Sequence, residues 1–177
     1  GLSPTHVGGV QVRLISPRLN RREEGERADR ALWDTVQVEP PTWPRPVGAA
    51  AATIAGKTCV VTGATTGIGH AAALSLARMG AHVIVAGRDP ARCASTVDDI
   101  RRATGNPAIE SAVADLTSLA EVRRLASDLS ERCPRIDVLA NNAGAYFAKR
   151  LETVEGFERT WALNVLAPFL LTNLLMD

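Results

Sequence analysis

Thr62-Gly63-Ala64-Thr65-Thr66-Gly67-Ile68-Gly69 is the stretch whose reading decides the fold. It follows a short β-branched run, Thr58 to Thr62 (TCVVT), and leads into a segment where Ala72, Leu76 and Met79 recur on one helical face. Glycines suit such a strand-to-helix junction because the chain turns tightly, its backbone must approach a ligand closely, and the helix must pack hard on the sheet. The helix N-terminus then presents unpaired N–H groups and a partial positive charge to a phosphate. A glycine-rich turn alone is equally a tight βα turn without ligand. The flanking strand and helix favour dinucleotide binding here.

Outward from this turn, strand and helix signals alternate. Gly80 is placed to end the first helix. A second strand, His82 to Ala86 (HVIVA), precedes Asp89 as N-cap and Pro90 at the first helical position, and that helix should run to about Ala103 with Gly105 beyond it. A third strand covers Ile109 to Ala114. Ser118 and Glu121 read as a capping box for a helix whose buried stripe is Leu119, Val122, Leu125, Ala126 and Leu129. A fourth strand, Asp137 to Ala140, ends in Asn141 and Asn142, and a last long helix is expected from near Val154. Strands alternating with helices mean βαβ units with right-handed crossovers. The fold class is therefore α/β, a Rossmann-type doubly wound parallel sheet, incomplete at about four strands.

Residues 1–52 differ in kind. They hold six of the ten prolines, including the PPTWPRP stretch from Pro40 to Pro46, and sustain no apolar period. Such a stretch is expected to be a largely disordered extension, with room for one short helix from Arg21 to Val36, ahead of a nucleotide-binding domain at 53–177. PPTWPRP also has the composition of a polyproline ligand for an adaptor domain, although a linker is the simpler reading. The formal net charge of +1 is spread among interspersed acidic and basic residues, which argues against a nucleic-acid partner. Cys59, Cys93 and Cys133 lack metal-ligand spacing, so no metal is expected and a reducing cytoplasm fits. No apolar run reaches the ~20 residues of a membrane-spanning helix. The start at Gly1 and the end at Asp177, directly after PFLLTNLLM, suggest a chain truncated at its C-terminus.

The spacing TGxxxGxG, rather than GxGxxG, resembles the short-chain dehydrogenase/reductase family. So do Asp115-Leu116 after the third strand, Asn141-Asn142-Ala143-Gly144 after the fourth, and Asn164 in the last helix. The resemblance spans Ile54 to Met176. GKTCVVTGATTGIG and LNVLAPFLLTNLL look like the retinol dehydrogenase and protochlorophyllide reductase branch, whereas the epimerase-like members usually carry TGxxGxxG. The resemblance implies that Gly63, Gly67 and Gly69 shape the turn, Ile68 lends backbone to the phosphates, and Thr65 and Thr66 offer hydroxyls to the cofactor. It implies that Asp115 accepts from the adenine amino group beside Leu116, and that Asn141, Ala143 and Gly144 line the adenosine and ribose side. Taken alone, Asp115 also reads as a turn cap, and the asparagines as turn chemistry.

The cofactor follows from the end of the second strand. NAD-binding folds place an acidic residue about 20 positions past the glycines to hold the ribose hydroxyls. Here Gly87 and Arg88 stand there, so a 2′-phosphate meets a guanidinium instead of a carboxylate, and NADP is the expected cofactor. In the last helix Pro168 lacks the N–H that would bond to the Asn164 carbonyl, so a kink is expected there. The resemblance implies that the freed Asn164 oxygen holds a water in a proton relay, which makes Asn164 the one catalytic candidate.

Two functions fit these residues. One is an NADP(H)-dependent oxidoreductase acting on a small-molecule carbonyl or alcohol, with homo-oligomer formation by the whole protein left open. The other is a non-catalytic NADP-binding sensor. The family's serine and Tyr-x-x-x-Lys have no counterpart here: the position four residues after Tyr146 is Arg150, and Lys149 is one residue short. Purified 177-residue chain with NADPH and a panel of ketones, aldehydes and retinoids should therefore show no turnover above a cofactor-only blank in a steady-state assay. Clear turnover would contradict that expectation.

Overall fold

The computed structural model describes residues 5–7, 10–12 and 54–176. The chain divides into two units, residues 1–50 and 51–177. In the first, β1 (Thr5–Val7) and β2 (Val10–Val12) pair antiparallel, with Val7 opposite Val10. The helix expected at Arg21 to Val36 and the PPTWPRP stretch lie outside the described residues.

The second unit is built on four parallel strands: β3 (Thr58–Thr62), β4 (His82–Gly87), β5 (Ile109–Val113) and β6 (Val138–Ala140). Their order across the sheet is β5-β4-β3-β6, so the chain works outward from β3 on one side and then crosses back to add β6 on the other. β3 and β4 are buried along nearly their whole length, because helices cover both faces. Helices α1 (Gly67–Arg78) and α2 (Pro90–Thr104) cover one face, where Ala73, Ala77, Val97 and Ile100 meet Val61, Val83 and Ile109. On the other face α3 (Leu119–Arg132) and α5 (Ala167–Leu174) bring Val122, Leu125, Leu129 and Leu171 against Val60, Ile84 and Ala112. This is the Rossmann-type architecture expected from the alternating pattern. The reversal of strand order at β3 and β6 opens a crevice at their C-terminal ends.

The caps of α2 and α3 form in part as read. Asp89 accepts from the Arg92 N–H at 3.0 Å, and Gly105 closes α2 in the left-handed conformation, φ 70°. Ser118 accepts from the Glu121 N–H, yet Glu121 does not complete a capping box, since its carboxylate is forked onto Arg124. Glu155 takes its place, accepting from the Ser118 hydroxyl (3.1 Å) and the Leu119 N–H (2.9 Å). The fully buried residues of α1 are Gly69, Ala73 and Ala77; of the face through Ala72, Leu76 and Met79, Leu76 packs half-buried against the core. The small residues let the helix sit close to the sheet, and Met79 is exposed.

The last helix also departs from expectation. Residues 153–156 form a turn with Gly156 at φ 81°, closed by the Thr153 N–H to the Phe157 carbonyl (2.8 Å), so the chain cannot be helical from Val154. Helix α4 (Arg159–Trp161) starts after Glu158, whose two carboxylate oxygens accept from the Thr160 and Trp161 N–H groups at 2.8 and 2.7 Å. A π-helical turn, Ala162–Leu166, separates α4 from α5. Pro168 thus stands at the start of α5, where a missing N–H is tolerated, and the disturbance takes the form of a widened turn.

Asp137 fixes the register of β3 and β6 from their N-terminal ends. Its carboxylate accepts from the Thr58 N–H at 3.0 Å and pairs with Lys57 at 3.1 Å and Arg135 at 2.8 Å. The Thr58 hydrogen bond, with the two cations, holds its pKa below the ordinary carboxylate range. A depressed folded-state pKa adds stability above the ordinary value that is lost as the pH falls through the folded one. Urea unfolding across acidic pH should show a steep loss for the native chain and a flatter profile for Asp137→Asn. Parallel profiles would contradict this account.

Candidate functional site

A cleft of about 560 Å³ opens at the C-terminal ends of the strands, where the strand order reverses. Its floor is the glycine turn between β3 and α1. Gly63 (φ 65°) and Gly67 (φ 57°) adopt the left-handed backbone that side chains disfavour. A Cβ at Gly63 would lie 2.8 Å from the Ala143 Cα, and one at Gly69 would collide with the Gly63 carbonyl and the Asn142 carboxamide. Helix α1 therefore starts hard against its own turn. Its N-cap, Thr66, makes no side-chain cap bond, and the first turn holds no acidic residue. The N–H groups of this turn and its positive end are left to serve an anion.

The wall opposite is the segment after β6, and one buried hydroxyl ties the two together. Thr62, 1% exposed, donates to the Ala140 carbonyl (3.3 Å) while its oxygen accepts from the Asn142 and Ala143 N–H groups, both at 3.0 Å. The Asn142 carboxamide returns the bond to the Thr62 carbonyl at 3.0 Å and the Gly63 carbonyl at 3.3 Å. Further along, Asn164 clamps Ala145 by both backbone groups: its Oδ1 accepts from the Ala145 N–H (3.1 Å) and its Nδ2 donates to the Ala145 carbonyl (2.9 Å).

At the end of β4, a Cβ on Gly87 would come within 2.8 Å of Cys93 Sγ and 3.0 Å of Thr65 Cγ2. Packing of α2 and the glycine turn thus leaves no space for a side chain at this strand end. Burial, reinforced by Asp89, raises the pKa of the Cys93 thiol, so it sits there as an inert apolar group. Arg88 and Arg92 line the cleft next to it. Asp115 also lines the cleft. Its Oδ1 accepts from the Thr117 N–H (2.9 Å) and hydroxyl (2.8 Å), the turn-capping role open to it from the sequence.

Of the residues singled out from the sequence, Gly63, Thr65, Thr66, Gly67, Ile68, Gly69, Arg88, Asp115, Leu116, Ala143 and Gly144 share this one cleft. Asn141 does not line it; its carboxamide donates to the Thr172 hydroxyl at 3.0 Å. Asn164 stands just behind the wall, its Oδ1 3.2 Å from where a Cβ on Gly144 would be. Sequence reading gave no cofactor role to Arg92 or Asn142. The first lies four positions beyond Arg88, a spacing that could have flagged it; the second stands in the Asn141-Asn142-Ala143-Gly144 motif, where it reads only as turn chemistry. Tyr146 is exposed, and Arg150 pairs with Glu152 at 3.1 Å. Among the described residues no group could hold a metal ion, and no helix is long and apolar enough to cross a membrane.

Comparison with known proteins agrees with this geometry. The family model for short chain dehydrogenase matches residues 57–177. Retinol dehydrogenase 13 of Homo sapiens is 46% identical over 126 residues, which are 71% of this chain and 38% of that protein. Among solved structures, the RhlG/NADP active-site complex of Pseudomonas aeruginosa superposes with a TM-score of 0.61 at 38% identity, covering 70% of this chain and 48% of its own. A metagenomic short-chain oxidoreductase in complex with NADP gives 0.60 at 32% identity, with 70% and 56% coverage. The chain therefore spans 38% to 56% of the length of these relatives.

The Thr62 clasp yields a direct expectation. Thr62→Val keeps the shape but removes the acceptor of the Ala143 N–H, while the Asn142 N–H keeps the Ala140 carbonyl (2.9 Å), so it should cost about 1–3 kcal/mol in urea unfolding, whereas Thr62→Ser should retain most of the stability. Equal losses for both variants would show that the methyl group, not the hydroxyl, matters.

Proposed function

Because this chain belongs to the short-chain dehydrogenase/reductase family, a family of oxidoreductases in the retinol dehydrogenase-like branch, we propose that its cleft binds NADP(H) and that the whole protein oxidises or reduces a small-molecule alcohol or carbonyl. The observation that carries the cofactor choice is the end of β4. Gly87 has no space for the carboxylate that would hold a ribose 2′-hydroxyl, and Arg88 lines the same cleft as the glycine turn. The structural relatives in complex with NADP point the same way.

The residues present fit the cofactor. The uncapped N–H groups at the start of α1 would receive the pyrophosphate, with Gly63 and Gly69 allowing its approach. Arg88 would take the 2′-phosphate by charge-assisted hydrogen bonds, and Arg92 adds a second guanidinium on the same wall. Asp115, with Oδ1 committed to Thr117, would present its other oxygen to the adenine amino group beside Leu116. Ala143 and Gly144 would face the ribose. NADP(H), when bound, would supply or accept the hydride.

Asn164 has two parts to play. Its carboxamide positions the segment after Gly144, and its backbone oxygen, which Pro168 cannot serve, would hold a water molecule in a proton relay. Asn141 would act from behind, bracing the end of β6 through Thr172. The buried thiols of Cys59, Cys93 and Cys133 suit a reducing cytoplasm.

Titration of the 177-residue chain with NADPH and NADH tests the assignment. Arg88→Ala should weaken NADPH binding by roughly tenfold or more, the scale of one lost charge-assisted bond, and change NADH binding little. Equal losses for the two nucleotides would defeat it.

A further inference from the structure

β5 is an edge of the sheet: it pairs with β4 on one side, and no strand among the described residues lies on the other. The ladder shows which of its backbone groups face outward. The Ala108 carbonyl accepts from the Val83 N–H and the Ala114 N–H donates to the Gly87 carbonyl, both at 2.9 Å, so the even-numbered residues face β4. Ile109, Ser111 and Val113 therefore turn their N–H and carbonyl groups away from the sheet. Such a row is a template for another strand.

Each outward carbonyl is met by an arginine. Arg101 Nη2 donates to the Ile109 carbonyl at 2.6 Å, both terminal nitrogens of Arg132 lie 3.4 Å from the Ser111 carbonyl, and Arg124 Nη2 donates to the Val113 carbonyl at 2.7 Å. Arg101 reaches over from α2 on one face, and Arg124 and Arg132 from α3 on the other. Two of the three are held in place: Arg124 is forked onto Glu121, and Arg132 is paired with Asp128 and Glu110. Ion pairs this exposed add little to stability, so their energy alone does not account for the placement of three guanidinium groups on successive outward carbonyls.

We infer that Arg101, Arg124 and Arg132 close the β5 edge against strand addition by a second copy of this chain. A neighbouring β5 would need those carbonyls as acceptors, and it would have to displace three charged, partly anchored side chains to reach them. The outward N–H groups alone cannot form a ladder.

Sedimentation velocity on the full chain tests this inference. The variant Arg101→Met/Arg124→Met/Arg132→Met should shift to about twofold higher mass or beyond, relative to the native chain. The charge-matched control Arg78→Met/Arg102→Met/Arg123→Met, made on exposed helix positions that do not touch the β5 carbonyls, should sediment as the native chain does. Adding Ser111→Pro to the edge variant removes an outward N–H while sparing the β4 ladder, and should reverse the association. Edge and control variants that behave alike, or association that survives Ser111→Pro, would overturn the inference. Should the triple edge variant lose its far-UV circular dichroism, Arg101→Met/Arg124→Met against Arg78→Met/Arg123→Met gives the same comparison, and a folded edge pair that sediments as its control does would equally overturn it.

Discussion

The hydroxyl of Thr62 is the constraint from which the cleft takes its shape. It sits at the C-terminal end of β3, where the order of strands reverses, and binds the two segments that leave the sheet in different directions. It ties the glycine turn to the segment after β6 together with the Asn142 carboxamide. A single side chain bonds two N–H groups and a carbonyl there, and the Asn142 carboxamide bonds the Thr62 and Gly63 carbonyls. Because Thr62 itself is buried and the groups it meets are partly so, leaving one unpaired is costly, and the geometry is correspondingly narrow.

That narrow geometry explains why glycine is needed at some positions and merely present at others. Gly63 and Gly69 face atoms of the opposite wall or of the turn itself, whereas Gly67 meets nothing within 4 Å and is required only for its positive φ. Gly87 belongs to a third kind. Its backbone is ordinary strand, yet Cys93 and Thr65 fill the volume that a side chain would use. A carboxylate at the end of β4 would therefore require Cys93 on α2 or Thr65 in the glycine turn to move, two elements that themselves line the cleft.

Much of this architecture was legible in the sequence because it rests on local rules. Buried β-branched runs gave the strands, and Asp89, Pro90, Gly105 and Ser118 marked helix ends through bonds to residues at most four positions away. What escaped reading depends on groups distant in the chain. Glu155 replaces Glu121 as the partner of Ser118 from 37 residues on, and the turn at Gly156 that delivers it also delays the last helix to Arg159. The fully buried residues of α1 went unnamed for a related reason. Bulk apolar residues mark a buried stripe in most helices, but a helix that begins in a glycine turn must come closest to the sheet, and there Gly69, Ala73 and Ala77 are fully buried while Leu76 packs half-buried beside them and Met79 is exposed.

The same distinction separates the two roles found for asparagine at the site. Asn142 and Asn164 act on backbone across 80 and 19 residues, and neither bond has a sequence signature. The proline after Asn164 did carry a signal, since a missing N–H must disturb the helix somewhere. Its outcome depends on tertiary context. A sharp kink would swing α5 away from Val122, Leu125 and Leu129, against which Ala167 and Leu171 are packed. A π-helical turn at Ala162–Leu166 instead takes in the extra backbone within the helix, so the Asn164 carboxamide reaches Ala145 while α5 stays seated on the core. The constraint that shapes the cleft at Thr62 and the one that holds its far wall at Asn164 are thus the same device, a side-chain amide or hydroxyl standing in for the missing strand partner of a loop backbone.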